Sequence, residues 1–213
     1  MALLIDLTHT LENDMPIFPG DEPPKFSLAT THSDDGSQVT RMEITTHIGT
    51  HLDCPRHFID GGTATDTNDL SPFYGKALMI DCRKFGGHEE ITKSHLGQFK
   101  LEGEQLQWLI LHTGFYRHWG TQKYFDPFPV LSPEAAEYLR DIGIVGIGLD
   151  VASIDSIDST DYPVHKIILG SGMYVIENLT NLHLLPAQSF TLAAFPLRIS
   201  RGDGSPVRAV AIL

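Results

Sequence analysis

Between positions 46 and 58 the chain reads Thr46-His47-Ile48-Gly49-Thr50-His51-Leu52-Asp53-Cys54-Pro55-Arg56-His57-Phe58, three imidazoles and one carboxylate in a short span. Imidazole nitrogen and carboxylate oxygen are ligands that Zn²⁺ and Mn²⁺ accept, and three protein ligands leave a position open for water, as a catalytic ion requires. His47 and His51 have the spacing of a zinc-binding helix, where residues four apart share a face. That reading fails on the intervening residues. No Glu follows His47, Gly49 and Thr50 separate the pair, and Thr45-Thr46 favour extended backbone, so a strand turning into an irregular loop fits better. On extended chain the odd positions share one side, which lets His47, His51 and Asp53 converge as ligands. His57, beyond Pro55, is placed to face the same ion without binding it. A lone histidine is commonly an ordinary surface or core residue; the crowding, with Gly49 and Pro55 fixing the backbone, favours the metal. Cys54 has the plainer reading of a small residue in a tight place.

Two further ligand types occur downstream, His165 in Asp161-Tyr162-Pro163-Val164-His165-Lys166 and Glu177 at the end of Met173-Tyr174-Val175-Ile176-Glu177. A short helix carrying His165 and a strand carrying Glu177 would be brought together by a turn at Gly170 to Gly172. Taken alone the pair has an ordinary explanation too, since a Glu closing an apolar strand is usually solvated.

The elements that must position these groups follow from hydrophobic pattern. Strands are expected at Val39 to Thr46, Ala77 to Asp81, Trp108 to His112, Ile144 to Leu149, Met173 to Ile176 and Val207 to Leu213, several buried on both faces. The clearest helix starts at Ser132 as N-cap, with Pro133 in first position and Glu134 in the first turn, and ends before Gly143. It links two strands, so a parallel pair under a helix is implied. Weaker helices are expected over Lys93 to Phe99 and His165 to Leu169. The fold class is mixed α/β (α+β), with no repeat or low-complexity tract, and the chain reads as a single domain over 1–213.

The chain has 213 residues, 41% hydrophobic, with 15 Lys+Arg against 27 Asp+Glu and a formal net charge of -12. Such a surface repels nucleic acid and anionic membranes, so neither is an expected partner. The N-terminus lacks the pattern of a signal peptide and no apolar run has the length of a membrane span. Cys54 and Cys82 are too few for a disulfide framework and suit a reducing compartment, so a cytoplasmic location is expected.

The residues quoted above resemble the metal-dependent cyclase or kynurenine formamidase family, whose signature H-x-G-T-H-x-D-x-P-x-H-F is complete here. The resemblance extends along nearly the whole chain: Ile5-Asp6-Leu7-Thr8, Pro16-Ile17-Phe18-Pro19-Gly20-Asp21, Leu109-Ile110-Leu111-His112-Thr113-Gly114 and Gly148-Leu149-Asp150-Val151-Ala152-Ser153-Ile154-Asp155. It implies a swivelling β/β/α fold, a homodimer or homotetramer, and one or two ions per subunit, zinc or in some members manganese. It implies His47, His51 and Asp53 as the first ligand set, His165 and Glu177 as the pair joining Asp53 around a second ion, and His57 as the catalytic histidine. Phe18 stands where members specific for kynurenine carry Trp, and presents less area to an aromatic substrate. The same ligands also serve isatin hydrolases.

The expected activity is hydrolysis of a C–N bond outside peptides, in an arylformamide such as N-formylkynurenine, by a metal-activated water. His57 would take a proton from that water and deliver it to the leaving nitrogen, or in its plainer role orient a ligand by a hydrogen bond. Asp150, Ser153 and Asp155 are expected in supporting roles, Phe18 in the substrate pocket, and Trp119 and Tyr124 less directly in its apolar wall. The alternatives are hydrolysis of a cyclic amide or lactone, and a metal-binding protein without turnover. Retention of His57 beside all five ligands argues against the last.

Overall fold

The computed structural model describes residues 2–99, 101 and 105–213. In chain order its strands and helices are β1 (Leu4–Asp6), β2 (Lys25–Thr30), α1 (His32–Asp35), β3 (Val39–Glu43), β4 (His51–Asp53), β5 (Tyr74–Asp81), β6 (Glu90–Ile91), α2 (Lys93–Leu96), β7 (Trp108–His112), β8 (Val130–Leu131), α3 (Pro133–Asp141), β9 (Gly146–Leu149), α4 (Pro163–Gly170), β10 (Tyr174–Glu177), β11 (Phe190–Ala193), β12 (Gly204–Pro206) and β13 (Val210–Ile212). Nine strands form one mixed sheet in the order β1-β13-β11-β5-β7-β9-β10-β4-β12. Its centre, β5-β7-β9-β10, is parallel and its flanks are antiparallel.

Period-two alternation along the buried strand β7 explains the layers. Leu109 and Leu111 pack with Ile147, Leu149, Val175 and the inner faces of α3 and α4, whereas Trp108 and Ile110 pack on the other side with Leu52, Ile176, Phe190 and Leu192. Helix α3 has the expected start: the Ser132 hydroxyl accepts from the Ala135 amide, with Pro133 following. Strands β7 and β9 on either side of it are parallel neighbours, as the strand-helix-strand pattern requires. No helix among the described residues is long and apolar enough to cross a membrane.

Three expectations are corrected. The strand expected over Val39 to Thr46 stops at Glu43 and, among the described residues, pairs with β2 in a ribbon outside the main sheet. That strand does run into irregular backbone over 44–50, but His51 then lies on a further short strand and not in the loop. The C-terminal strand is shorter than Val207 to Leu213, with the separate β12 just before it.

Candidate active site

Strand β4 lies between β10 and β12, with Glu177 opposite His51 and Gly204 opposite Asp53. His51, Asp53, Val175 and Glu177 therefore project from the helix-bearing face, and Leu52 drops into the opposite core. The site sits where β10 ends, beside the loop that follows β9. His51 and Asp53 share a face by alternation as expected, but His47 does not. It lies before a bend at Gly49 (φ +58), where an added Cβ would stand 2.5 Å from Leu11 Cδ2, so this glycine both turns the chain and leaves room for its neighbour.

The resulting cluster is tight. Asp53 Oδ1 stands 2.7 Å from His47 Nδ1 and 3.3 Å from His51 Nε2, and Asp53 Oδ2 stands 3.6 Å from His165 Nε2. Glu177 reaches both neighbours, Oε2 at 3.5 Å from His51 Nε2 and Oε1 at 3.3 Å from His165 Nε2. His57 stacks on His47 with ring centres 3.8 Å apart. All six residues expected at the site thus meet, although Glu177 is 130 positions from His47 by the numbering of the chain. Ligand atoms of His51, Asp53 and Glu177, and of His47, Asp53 and His57, lie close enough to hold an ion.

The buried imidazoles have fixed orientations. His51 Nδ1 donates to the Gly49 carbonyl at 2.8 Å, which turns Nε2 toward the carboxylates. The Gly49 carbonyl is held in turn by Asn178 Nδ2, and Asn178 Oδ1 accepts from the buried Tyr124 hydroxyl. His165 Nδ1 donates to Asp155 Oδ2 at 2.7 Å, again leaving Nε2 to face Asp53 and Glu177. Asp155 also accepts from the Val164 and His165 amides in the first turn of α4, so one carboxylate caps the helix and orients its histidine. Asp150 serves differently, accepting from Thr113 and Gly114 amides to fix a loop.

Charge follows from this packing. Burial opposes ionisation of Asp53, but His47 and His51 hold its carboxyl well below the usual range. Burial also opposes protonation of His47, yet Asp53 and Asp203 raise it to about 10, and Asp155, Asp53 and Glu177 likewise raise His165. Burial dominates at His57 and lowers it to about 4. Asp53 Oδ2 is buried without a hydrogen-bond partner, facing His165 and beside Glu177. A buried carboxylate oxygen without a hydrogen bond suits a cation.

The Cyclase family model matches residues 5–156. A kynurenine formamidase of Bacillus cytotoxicus is 33% identical over 207 residues, covering 97% of this chain and 95% of the relative. The chain belongs to the Cyclase family. Among solved structures, an isatin hydrolase bound to the product analogue thioisatinate superposes with a TM-score of 0.91 at 26% identity, covering 100% of this chain and 92% of the other. Isatin hydrolase A from Labrenzia aggregata, bound to benzyl benzoate, gives 0.90 at 27% identity, covering 100% and 94%. The expected swivelling β/β/α architecture of the Cyclase family is therefore the observed one.

A cavity of 530 Å³ opens onto this Cyclase-family cluster, its apolar wall formed by Phe18, Phe58, Tyr124, Phe125 and Tyr162. Phe18 and Tyr124 lie where the sequence placed them. Trp119 instead packs behind the wall, stacked on His9 at 3.9 Å and edge-on to Tyr124. Sequence reasoning missed Asp203, whose Oδ2 is 3.2 Å from His47 Nε2, and the Tyr124-Asn178 support. Asn178 carried one local signal, since it follows Glu177 and adopts φ 58, a conformation Asn tolerates.

Proposed function

We propose that the chain is a metal-dependent hydrolase that cleaves the C–N bond of an arylformamide such as N-formylkynurenine. The observation that carries this reading is the buried Asp53 carboxylate, whose Oδ1 faces His47 and His51 and whose Oδ2 faces His165 without a hydrogen-bond partner. The donors fit a divalent ion, Zn²⁺ or Mn²⁺, held by His47, His51 and Asp53, with a second shared by Asp53, His165 and Glu177. An ion so held supplies an acidified water and polarises the substrate carbonyl.

The remaining chemistry belongs to the side chains. His57, lowered to about 4 by burial, is an unprotonated acceptor at neutral pH. Standing at the cavity, its imidazole takes the proton released by the attacking water and returns it to the leaving nitrogen. The aromatic wall that includes Phe18 binds the aryl group and excludes water. The reading takes 1–213 as one domain, assembled as a homodimer or homotetramer, acting in the cytoplasm with Cys54 and Cys82 as thiols.

A cyclic amide is the second reading, favoured by the 0.91 superposition on an isatin hydrolase. Initial rates with N-formylkynurenine and with isatin, after loading with Zn²⁺ or Mn²⁺ and again after chelation, separate the two. Chelator-sensitive turnover of the formamide supports the first reading. Turnover of isatin alone transfers the assignment to cyclic amides, and metal-loaded protein inert toward both overturns the hydrolase reading for these substrates.

A further inference from the structure

We infer that Asp203 is a positioning residue that holds His47 and His57 as one stacked unit at the mouth of the site; the inference deepens the hydrolase reading and rests on it for its kinetic consequence. Asp203 Oδ2 lies 3.2 Å from His47 Nε2 and 3.8 Å from His57 Nδ1, and Oδ1 accepts from the Thr46 hydroxyl at 2.9 Å. With Nε2 of His47 engaged by Asp203, Nδ1 is the nitrogen turned toward Asp53. Asp155 does the same for His165 with the nitrogens exchanged, holding Nδ1 and leaving Nε2 to face Asp53. His57 turns Nδ1 toward the same oxygen, so its Nε2 lies on the far side of the ring from Asp203.

The backbone around Asp203 is built for this placement. Its carbonyl accepts from the Cys54 amide at 2.9 Å, next to Asp53, and the preceding Gly202 carbonyl accepts from Thr65 at 3.0 Å. The following Gly204 is paired with Asp53, and a Cβ there would lie 2.6 Å from His47 Cε1 and 2.9 Å from the Leu52 carbonyl. Only a residue without a side chain lets β12 come this close to the His47 ring. The carboxylate is thus pinned on both sides while remaining open to the cavity.

The test compares wild type, Asp203→Asn and Asp203→Ala. Zn²⁺ affinity is read by competition with a chromophoric chelator, imidazole hydrogen bonding and protonation by ¹⁵N ring spectra of the metal-free protein, and kcat and KM at saturating Zn²⁺. Asp203→Ala should weaken Zn²⁺ by roughly 10–100-fold, alter the His47 and His57 ring spectra, and lower kcat about tenfold or more with KM nearly unchanged. Asp203→Asn keeps an acceptor oxygen and should fall between the two. Zn²⁺ affinity and kcat within about twofold of wild type in Asp203→Ala, with both ring spectra unchanged, overturn the inference. If that variant does not fold, the same comparison is made with Asp203→Asn, where unchanged spectra and affinity overturn it. Wild type that binds neither Zn²⁺ nor Mn²⁺ defeats the hydrolase reading instead, and the ring spectra still decide the role of Asp203.

Discussion

His165 and His47 are both imidazoles held between carboxylates, but at different depths. His165 and its partner Asp155 have side chains only 5% and 3% exposed, and Asp155 is tied to two amides of α4 as well as to the ring. At the rim the corresponding values are 17% for His47, 29% for His57 and 43% for Asp203. The deep half therefore has its geometry set by the sheet and a helix start, while the rim half depends on side chains that border the cavity. Rigid ligands suit binding an ion; a reachable neutral imidazole suits moving protons to and from substrate.

The largest break expected is at Asp53, which belongs to both halves. Asp53→Ala should abolish binding of both ions and reduce turnover by on the order of 10³-fold or more, because the water-activating charge is lost. Metal content by mass spectrometry alongside initial rates checks this; a variant with full metal content and turnover would contradict a shared role. His57→Ala should lower kcat by ~10²–10⁴-fold while metal content stays at the wild-type level. Loss of metal in that variant would instead make His57 a structural support. Asp155→Ala, aimed only at the deep half, should weaken Zn²⁺ by about 10–100-fold without removing the proton carrier, measured by chelator competition.

The smallest effect is one of pH. His47 is held protonated by Asp53 and Asp203 up to about 10 against the pull of burial, so an ion must displace that proton to bind. Lower pH supplies the competing proton, and affinity should therefore rise with pH through neutrality. Titration calorimetry in buffers of different ionisation heats should show about one to two protons released per ion. An affinity flat from pH 6 to 9 would show that neither His47 nor His165 carries a displaceable proton.

The local part of the site was legible because its chemistry lies in one stretch. His47, His51, Asp53 and His57 fall within eleven consecutive positions of the chain, and no folding is needed to see that they suit an ion. The α3 cap at Ser132 and the parallel β7-β9 pair were equally readable, since capping and period-two patterns are local properties. His165 and Glu177 were suggested by residue type and assigned only through resemblance. The tertiary structure decided their meeting, through the β10-β4 register that sets Glu177 opposite His51. It also placed His51 on a strand where a loop was expected, because pairing of β4 with both β10 and β12 stabilises three extended residues whose own propensity does not mark them as a strand. Asp203 had no sequence signal as a site residue. An aspartate between two glycines reads as a turn, and only the pairing of β12 with β4 carries it across 156 positions to His47. Composition and spacing fix which chemistry is available; long-range strand register fixes which nitrogen of each histidine is left free to perform it.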